Sequence, residues 1–290
     1  MVRARLFTGK SMPELPEVET VRRIAHKLVV GRRIERLHVS ESFPCVLNSE
    51  GGIDPVSTLT GATIASAQRR GKYLLFELDS GLWMVVHLRM TGRLLVMDRH
   101  EPPVRFEHLS MELDNGMDIR FGDQRKFGRV TVVPPDAVSA LSGRLGVEPL
   151  TADFTSAWLQ SALQRRPGKI KSVLLDQHLI AGLGNIYVDE ALFRARIHPL
   201  TPARDLDSND VEHLVDAIVD VLEMAIRNQG TTFSTFENPY GESGSNAAFL
   251  KVYGKGRKGE TCPRCGTPLA RAVVGGRGTT WCPHCQPARG

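Results

Sequence analysis

The chain has 290 residues, enough for a substantial core and, by length alone, for about two domains. Its 37 Lys and Arg against 32 Asp and Glu give a net charge of +5, a basic balance compatible with a polyanionic partner. No apolar run approaches the roughly 20 residues that span a bilayer, and the amino terminus lacks the apolar stretch of a signal peptide, so the reading is a cytoplasmic protein.

Residues 1–11 show no apolar period and are expected to be an upstream extension outside the fold. Met12-Pro13-Glu14-Leu15-Pro16-Glu17-Val18-Glu19-Thr20 then precedes an amphipathic run. Pro16 suits a first helical residue, and Glu17 and Glu19 complement a helix N-terminus. Val18, Val21, Ile24, Ala25 and Leu28 recur at helical spacing up to Gly31. That leaves Pro13 and Glu14 unexplained. If the mature chain starts at Pro13, as expected here, it carries a free secondary amine beside a carboxylate, a pair able to do covalent chemistry.

A β-rich region follows. Thr63–Gln68, Tyr73–Leu78, Leu82–Leu88 and Arg93–Met97 are short apolar or alternating runs. Glu107–Leu113 and Met117–Phe121 flank Asp114-Asn115-Gly116, a strong hairpin signal. Strands at such spacing indicate a sandwich or barrel. Pro134-Pro135-Asp136 and the stretch Gly143 to Pro149 change the texture, and the second half reads helical. Helices are expected at Trp158–Leu163, Ile170–Leu175 and Tyr187–Ala195, and over Val211 to Ile226 with Ser208 or Asn209 as cap. The Gly/Ser/Thr/Asn-rich stretch 230–247 is expected to be a mobile loop. The expected units are therefore a β-rich domain over 12–148, a helical module over 149–250 and a small unit over 251–290.

Two motifs carry chemistry in that second half. Gly182-Leu183-Gly184-Asn185 opens a helix behind two glycines, either a tight helix–helix turn or a phosphate site at a helix N-terminus. Arg165, Arg166, Lys169 and Lys171 lie just upstream. Cys262-x-x-Cys265 and Cys282-x-x-Cys285 are spaced to close a tetrahedron around one zinc ion, with disulfides or a redox pair as the competing readings. Four sulfur ligands leave no open position, so that zinc is structural. Cys45 is left over as a loop or core thiol.

Together these residues resemble the formamidopyrimidine-DNA glycosylase family. The anchors are PELPEVET after Met12, QRRGKYLLFEL at 68–78, HLRMTG at 87–92, DQRKFG at 123–128, LGVEP at 145–149, AGLGNIYVDEALF at 181–193 and the four-cysteine finger. The resemblance implies a multidomain α+β fold: a two-sheet β-sandwich with an amino-terminal helix, a helix–two-turn–helix module and a zinc-finger hairpin. It implies a monomeric DNA glycosylase and abasic-site lyase acting on double-stranded DNA with an oxidised purine. Pro13 is implied as the nucleophile at C1′, Glu14 as the acid assisting sugar opening, and Lys72 as the lysine at the lesion. Met90, Arg125 and Phe127 match the trio that enters the duplex where a nucleotide is flipped out. Asn185 with nearby amides, and Arg277, are implied to hold phosphate, with Arg277 also linked to δ-elimination; Arg166 and Lys171 are implied at or near the family's contacts with the DNA or lesion.

The sequence departs from the family pattern in three places. Phe106 stands where the family often has His, with His108 two residues on as a possible substitute. Residues 238–248 lack the usual Gly-Tyr-Phe lid, and Lys255-Gly256 looks like an insertion. Two other readings are a sister glycosylase for oxidised pyrimidines and a lesion-binding protein silent while residues 1–11 remain attached.

Overall fold

The computed structural model describes residues 12–288, so the expected extension over 1–11 lies outside the described residues. Helix α1 (Leu15–Val29) has Glu14 as its N-cap. Leu15 therefore opens the helix, and Pro16 sits one residue further in than expected, still among the first N–H positions that lack a helical partner. Val18, Val21, Ala25 and Val29 are fully buried along one face.

Nine strands then form two sheets: β1 (Ile34–Val39), β2 (Leu47–Ser49), β3 (Ile64–Arg70), β4 (Tyr73–Leu78), β5 (Trp83–His87), β6 (Gly92–Asp98), β7 (Glu107–Leu113), β8 (Met117–Asp123) and β9 (Arg129–Val133). One sheet has the order β1-β7-β8-β6 and the other β2-β9-β5-β4-β3. Every pairing is antiparallel except β2 with β9. The expected hairpin forms at Asp114-Asn115-Gly116, where Gly116 takes φ +81°. Leu94, Val96, Leu109 and Phe121 from the first sheet meet Leu74, Phe76, Met84 and Val132 from the second, and α1 closes this core. Strands β4 and β5 are apolar on both faces for a reason the sequence did not show. A helix at Pro135–Arg144 lays Ala137, Val138 and Leu141 over Leu75, Val85 and Val133 on the outer face.

With Pro55–Leu59 taken as α2 and Pro135–Arg144 as α3, the second core is built from α4 (Ser156–Gln164), α5 (Ile170–Leu174), α6 (Asn185–Arg194) and α7 (Ser208–Arg227). The cap of α7 is Asp207, not Ser208 or Asn209: its carboxylate accepts from Asp210 N at 2.8 Å, and that of Asp210 accepts from Asp207 N at 3.2 Å. Two tight turns, with Ile180 N donating to Asp176 O at 3.0 Å in the first, separate α5 from α6. Leu15 belongs to this second core, and its N–H reaches Gly182 O at 3.0 Å. The start of α1 is thus docked on the helical module while its remainder packs in the sandwich. Strands β10 (Ala270–Val274) and β11 (Arg277–Trp281) make the terminal hairpin, seated on Phe193 of α6.

The stretch 230–247 is anchored, contrary to the expectation of a mobile loop. Asn238, fully buried, accepts from Tyr240 N and Glu242 N and donates to Gln229 Oε1 at 2.8 Å. Val96 N donates to Pro239 O at 2.8 Å, and Arg93 pairs with Glu237 at 2.6 Å, tying the segment to β6. Thr231, Thr232, Asn238 and Asn246 use their polar groups in internal bonds, while Ser234, Tyr240 and Ser243 stay exposed.

Candidate active site and metal centre

Glu14 is the hub of the site. Its carboxylate lies over the N-terminus of α6, accepting from Ile186 N at 3.0 Å and Tyr187 N at 3.5 Å. The close approach depends on Gly184, where a Cβ would lie 2.2 Å from the Glu14 carboxyl carbon. The glycine turn is therefore an anion seat, but the anion held by Ile186 and Tyr187 is Glu14 rather than a phosphate. Burial pushes the Glu14 carboxyl up to about 7, against the opposing pull of Lys72 and the two amides. Such a group can exchange a proton at neutral pH.

Glu17 is a site residue that sequence reasoning read only as a helix-dipole complement. Its carboxylate accepts from Glu14 N at 2.8 Å, from Thr231 N at 2.7 Å and from the Tyr187 hydroxyl. It joins the backbone beside Pro13 to α6 and to the base of the 230–247 segment. Pro13 is buried at the start of this arrangement.

Lys72 occupies the turn between β3 and β4 and is 7 % exposed. Burial lowers its pKa, with Glu14 and Glu17 pulling it back up and Arg277 adding to the fall. The buried Lys72 thus feels both carboxylates and the exposed Arg277. The turn is clamped by a residue the sequence did not single out beyond its motif. Glu148 pairs with Arg69 at 2.8 Å and Arg70 at 3.1 Å and accepts from Gly71 N, while Arg70 also donates to Leu145 O at 2.8 Å. Gly71, at φ +55°, packs against Leu145 and Ala181. The LGVEP segment thus fixes the lysine-bearing turn against the helical module.

Met90 comes together with Arg125, 35 residues on, and with Phe127 on two adjacent turns. The Arg125 guanidinium donates to Met90 Sδ at 2.9 Å and stacks on the Phe127 ring at 4.7 Å. Phe127 is 48 % exposed, an apolar tip facing outward. Arg89 at φ +54° and Lys126 at φ +58° bend the two turns, and a buried His87 accepts from Arg89 N at 2.9 Å. Burial, then the nearby Arg89 and Lys72 charges, drops the His87 pKa to about 3, so the ring is neutral and able to accept. His108 does not stand in for the family histidine: it is 5 % exposed and bonds Asp123 O at 3.0 Å. Phe106 is at the surface, with Arg105 stacked at 4.7 Å.

The cysteines Cys262, Cys265, Cys282 and Cys285 converge with their sulfurs within 4.8 Å of one another. Sulfur pairs Cys265–Cys282 and Cys262–Cys285 lie 3.5 and 3.9 Å apart. A zinc ion with bonds of about 2.3 Å needs tetrahedral edges of about 3.8 Å, so the donor set fits. Arg264 N and Cys285 N donate to Cys262 Sγ and Cys282 Sγ at 3.4 and 3.3 Å, bonds that favour thiolate. The four thiolates suit one structural zinc ion.

The finger places Arg277 on a cavity of about 680 Å³ also lined by Met90, Arg125, Asn185, Phe233 and Tyr253. Asn185 donates to Gly278 O at 3.0 Å, joining α6 to β11. Lys171 is placed differently from the expectation of a DNA contact. Its ammonium is fully enclosed, bonded to Asp189 at 2.7 Å and to Gly278 O at 3.0 Å, and so locks the finger to α5 and α6. Arg166 lies outside that cavity lining and pairs with Asp176 at 2.6 Å, leaving it partly exposed.

A sandwich, a helix–two-turn–helix module and a four-cysteine finger meeting around one cavity define a class of zinc-finger protein with a carboxylate–lysine centre. Comparisons with known proteins refine the class. Residues 12–130 match the formamidopyrimidine-DNA glycosylase N-terminal domain, 145–237 its H2TH domain, and 259–288 the zinc finger found in FPG and IleRS. A formamidopyrimidine-DNA glycosylase of Herpetosiphon aurantiacus is 47% identical over 95% of this chain and 100% of its own. One of Pelotomaculum thermopropionicum is 45% identical over 96% and 100%. The structure of Lactococcus lactis Fpg with abasic-site DNA superposes with a TM-score of 0.86 at 38% identity, covering 95% of this chain and 100% of that one. The chain belongs to the formamidopyrimidine-DNA glycosylase family.

Proposed function

We propose that the chain removes oxidised purines from double-stranded DNA and then cuts the strand, acting as a monomer in the bacterial cytoplasm. The observation that carries this reading is the Glu14 carboxyl, held near neutrality beside Pro13 and in the field of the buried Lys72, on which Arg277 of the finger also acts. In the proposed reaction the free amine of Pro13 forms a bond to C1′ and the bond from C1′ to the base breaks. The base leaves with a proton, and Glu14 protonates the sugar ring oxygen as the ring opens. The resulting iminium acidifies the C2′ hydrogen. Its loss expels the 3′ phosphate, and a second elimination expels the 5′ phosphate, with Lys72 and Arg277 stabilising the departing charge. Water then hydrolyses the imine and frees the amine.

Met90 and Phe127 are proposed to refill the stack vacated by the flipped nucleotide, and Arg125 to bond the orphaned base. Asn185 and Arg277 are assigned to phosphate at the cavity, and Arg166 to the flanking backbone, where salt weakens binding. Lys171 is assigned to holding the finger. The units are proposed to divide at 12–148, 149–250 and 251–290, with the start of α1 shared between the first two. Among the described residues no helix is long and apolar enough to cross a membrane.

A duplex panel tests the substrate. Release of 8-oxoguanine and formamidopyrimidines should exceed release of thymine glycol; the reverse order would favour the sister specificity. Lactococcus lactis Fpg has been crystallised with DNA containing an oxidised pyrimidine, at a TM-score of 0.84 to this chain, so some pyrimidine activity is compatible with the proposal.

A further inference from the structure

We propose that Asp123 is a positioning residue that sets the geometry of both intruding turns and thereby the reading of the base opposite the lesion. The inference rests on the assignment of Met90, Arg125 and Phe127 above. Asp123 closes β8, opposite Gly92, and is 1 % exposed. Both of its carboxylate oxygens are used. Oδ1 accepts from the Thr91 hydroxyl and from Arg125 N at 3.0 Å; Oδ2 accepts from Phe127 N at 2.8 Å and Gly128 N at 2.7 Å. Its own peptide is held as well, with Asp123 N donating to Phe106 O at 2.9 Å.

One buried anion therefore ties Thr91, next to Met90, to the backbone of Arg125 and Phe127. It does so at the base of two turns whose tips are exposed. Charge-assisted bonds of this kind are about twice as strong as neutral ones, and a fixed base spares the tip the entropy of ordering when it meets DNA. Gly128 completes the fit: a Cβ there would lie 2.5 Å from the Phe121 ring. An arginine held this firmly can discriminate. Cytosine presents two acceptors on its pairing edge, whereas adenine presents one acceptor beside a donor that repels the guanidinium.

Asp123→Asn tests the proposal, because the amide keeps the volume but turns an N–H₂ toward backbone N–H groups. The measurement is binding of the full chain to duplexes carrying a tetrahydrofuran abasic analogue opposite C or opposite A, and to the same strand single-stranded. These readouts do not depend on the amine of Pro13. The wild-type preference for C over A should fall by about tenfold in the variant, the scale of one good base contact, with single-strand binding within about threefold. Thr91→Val, which removes one donor to Asp123 and the secondary acceptor of Arg125 N at 3.2 Å but leaves the Asp123 carboxylate on Arg125, Phe127 and Gly128, should shift the ratio in the same direction by less. An unchanged C-to-A ratio in both variants, or parallel loss of duplex and single-strand binding in both, overturns the assignment. A wild-type chain that does not prefer abasic duplex over intact duplex instead overturns the functional reading beneath it.

Discussion

Replacing Glu14 with glutamine should slow base release from a lesion duplex by about 10²–10⁴-fold, the range ascribed to a positioned general acid. Imine formation at a ready-made abasic site should suffer far less, because that sugar already opens to an aldehyde without losing a base. Desolvation raises the Glu14 pKa to about 7 even though Lys72 and two amides stabilise the anion, so near neutral pH an appreciable fraction keeps the proton the ring oxygen needs. The sign follows. The acid form dominates below about pH 7 and is lost as pH rises through that value, so the wild-type single-turnover rate should carry a falling limb there. Glutamine cannot titrate, and the residual rate of Glu14→Gln should lack that limb. Equal losses on lesion and abasic substrates would remove Glu14 from the proton-transfer role.

Removing the zinc should be comparably severe, but for binding. Structural zinc contributes about 10–16 kcal/mol to isolated finger peptides, more than most whole domains retain as net stability. In this chain the finger's small core holds little beyond Phe193, Val252, Leu269 and the cysteines, so without the metal only the bonds of Lys171 and Asn185 to Gly278 O and of Thr280 N to Asp189 still hold β11. Arg277 would lose its position on the cavity. Cys282→Ser, or chelation of the wild type, should weaken binding of abasic duplex by at least about thirtyfold, the scale of a 2 kcal/mol hot spot. Adding zinc back should restore the chelated protein and not the variant. Because the sandwich and helical cores exclude the finger, the main thermal transition should stay within a few degrees. Affinity untouched by chelation would contradict the assignment.

How much of this was legible in the sequence depended on whether the signal was local. The cysteine pairs, the Asn115-Gly116 hairpin and the amphipathic runs of α1 and α7 are local patterns, and each formed. Met90, Arg125 and Phe127 carried no such pattern; only their flanking motifs drew attention to them, and the two turns that unite them are shaped by a buried Asp123 invisible to periodicity. The glycine turn read either as a tight helix–helix turn or as a phosphate site, because an N-terminus attracts anions, yet the anion came from Glu14, 172 residues before Ile186. Lys171 was expected near the DNA for the same reason: its partner Asp189 lies on another helix. Long-range pairing of charges is what a single sequence conceals.

The central claim is that the amine of Pro13 is the nucleophile. When residue 12 is still joined to it, that nitrogen is a tertiary amide with a delocalised lone pair and no N–H. Freed, it is an amine titrating near pH 8, on the order of a tenth unprotonated at neutrality. The decisive measurement is borohydride trapping on 8-oxoguanine duplex with two proteins whose amino termini are verified by mass spectrometry, one beginning at Pro13 and one retaining Met12. The account predicts a covalent protein–DNA adduct at Pro13 from the first and none from the second. Trapping by the protein that retains Met12 would contradict it and would point to Lys72, the buried amine nearest the same carboxylates.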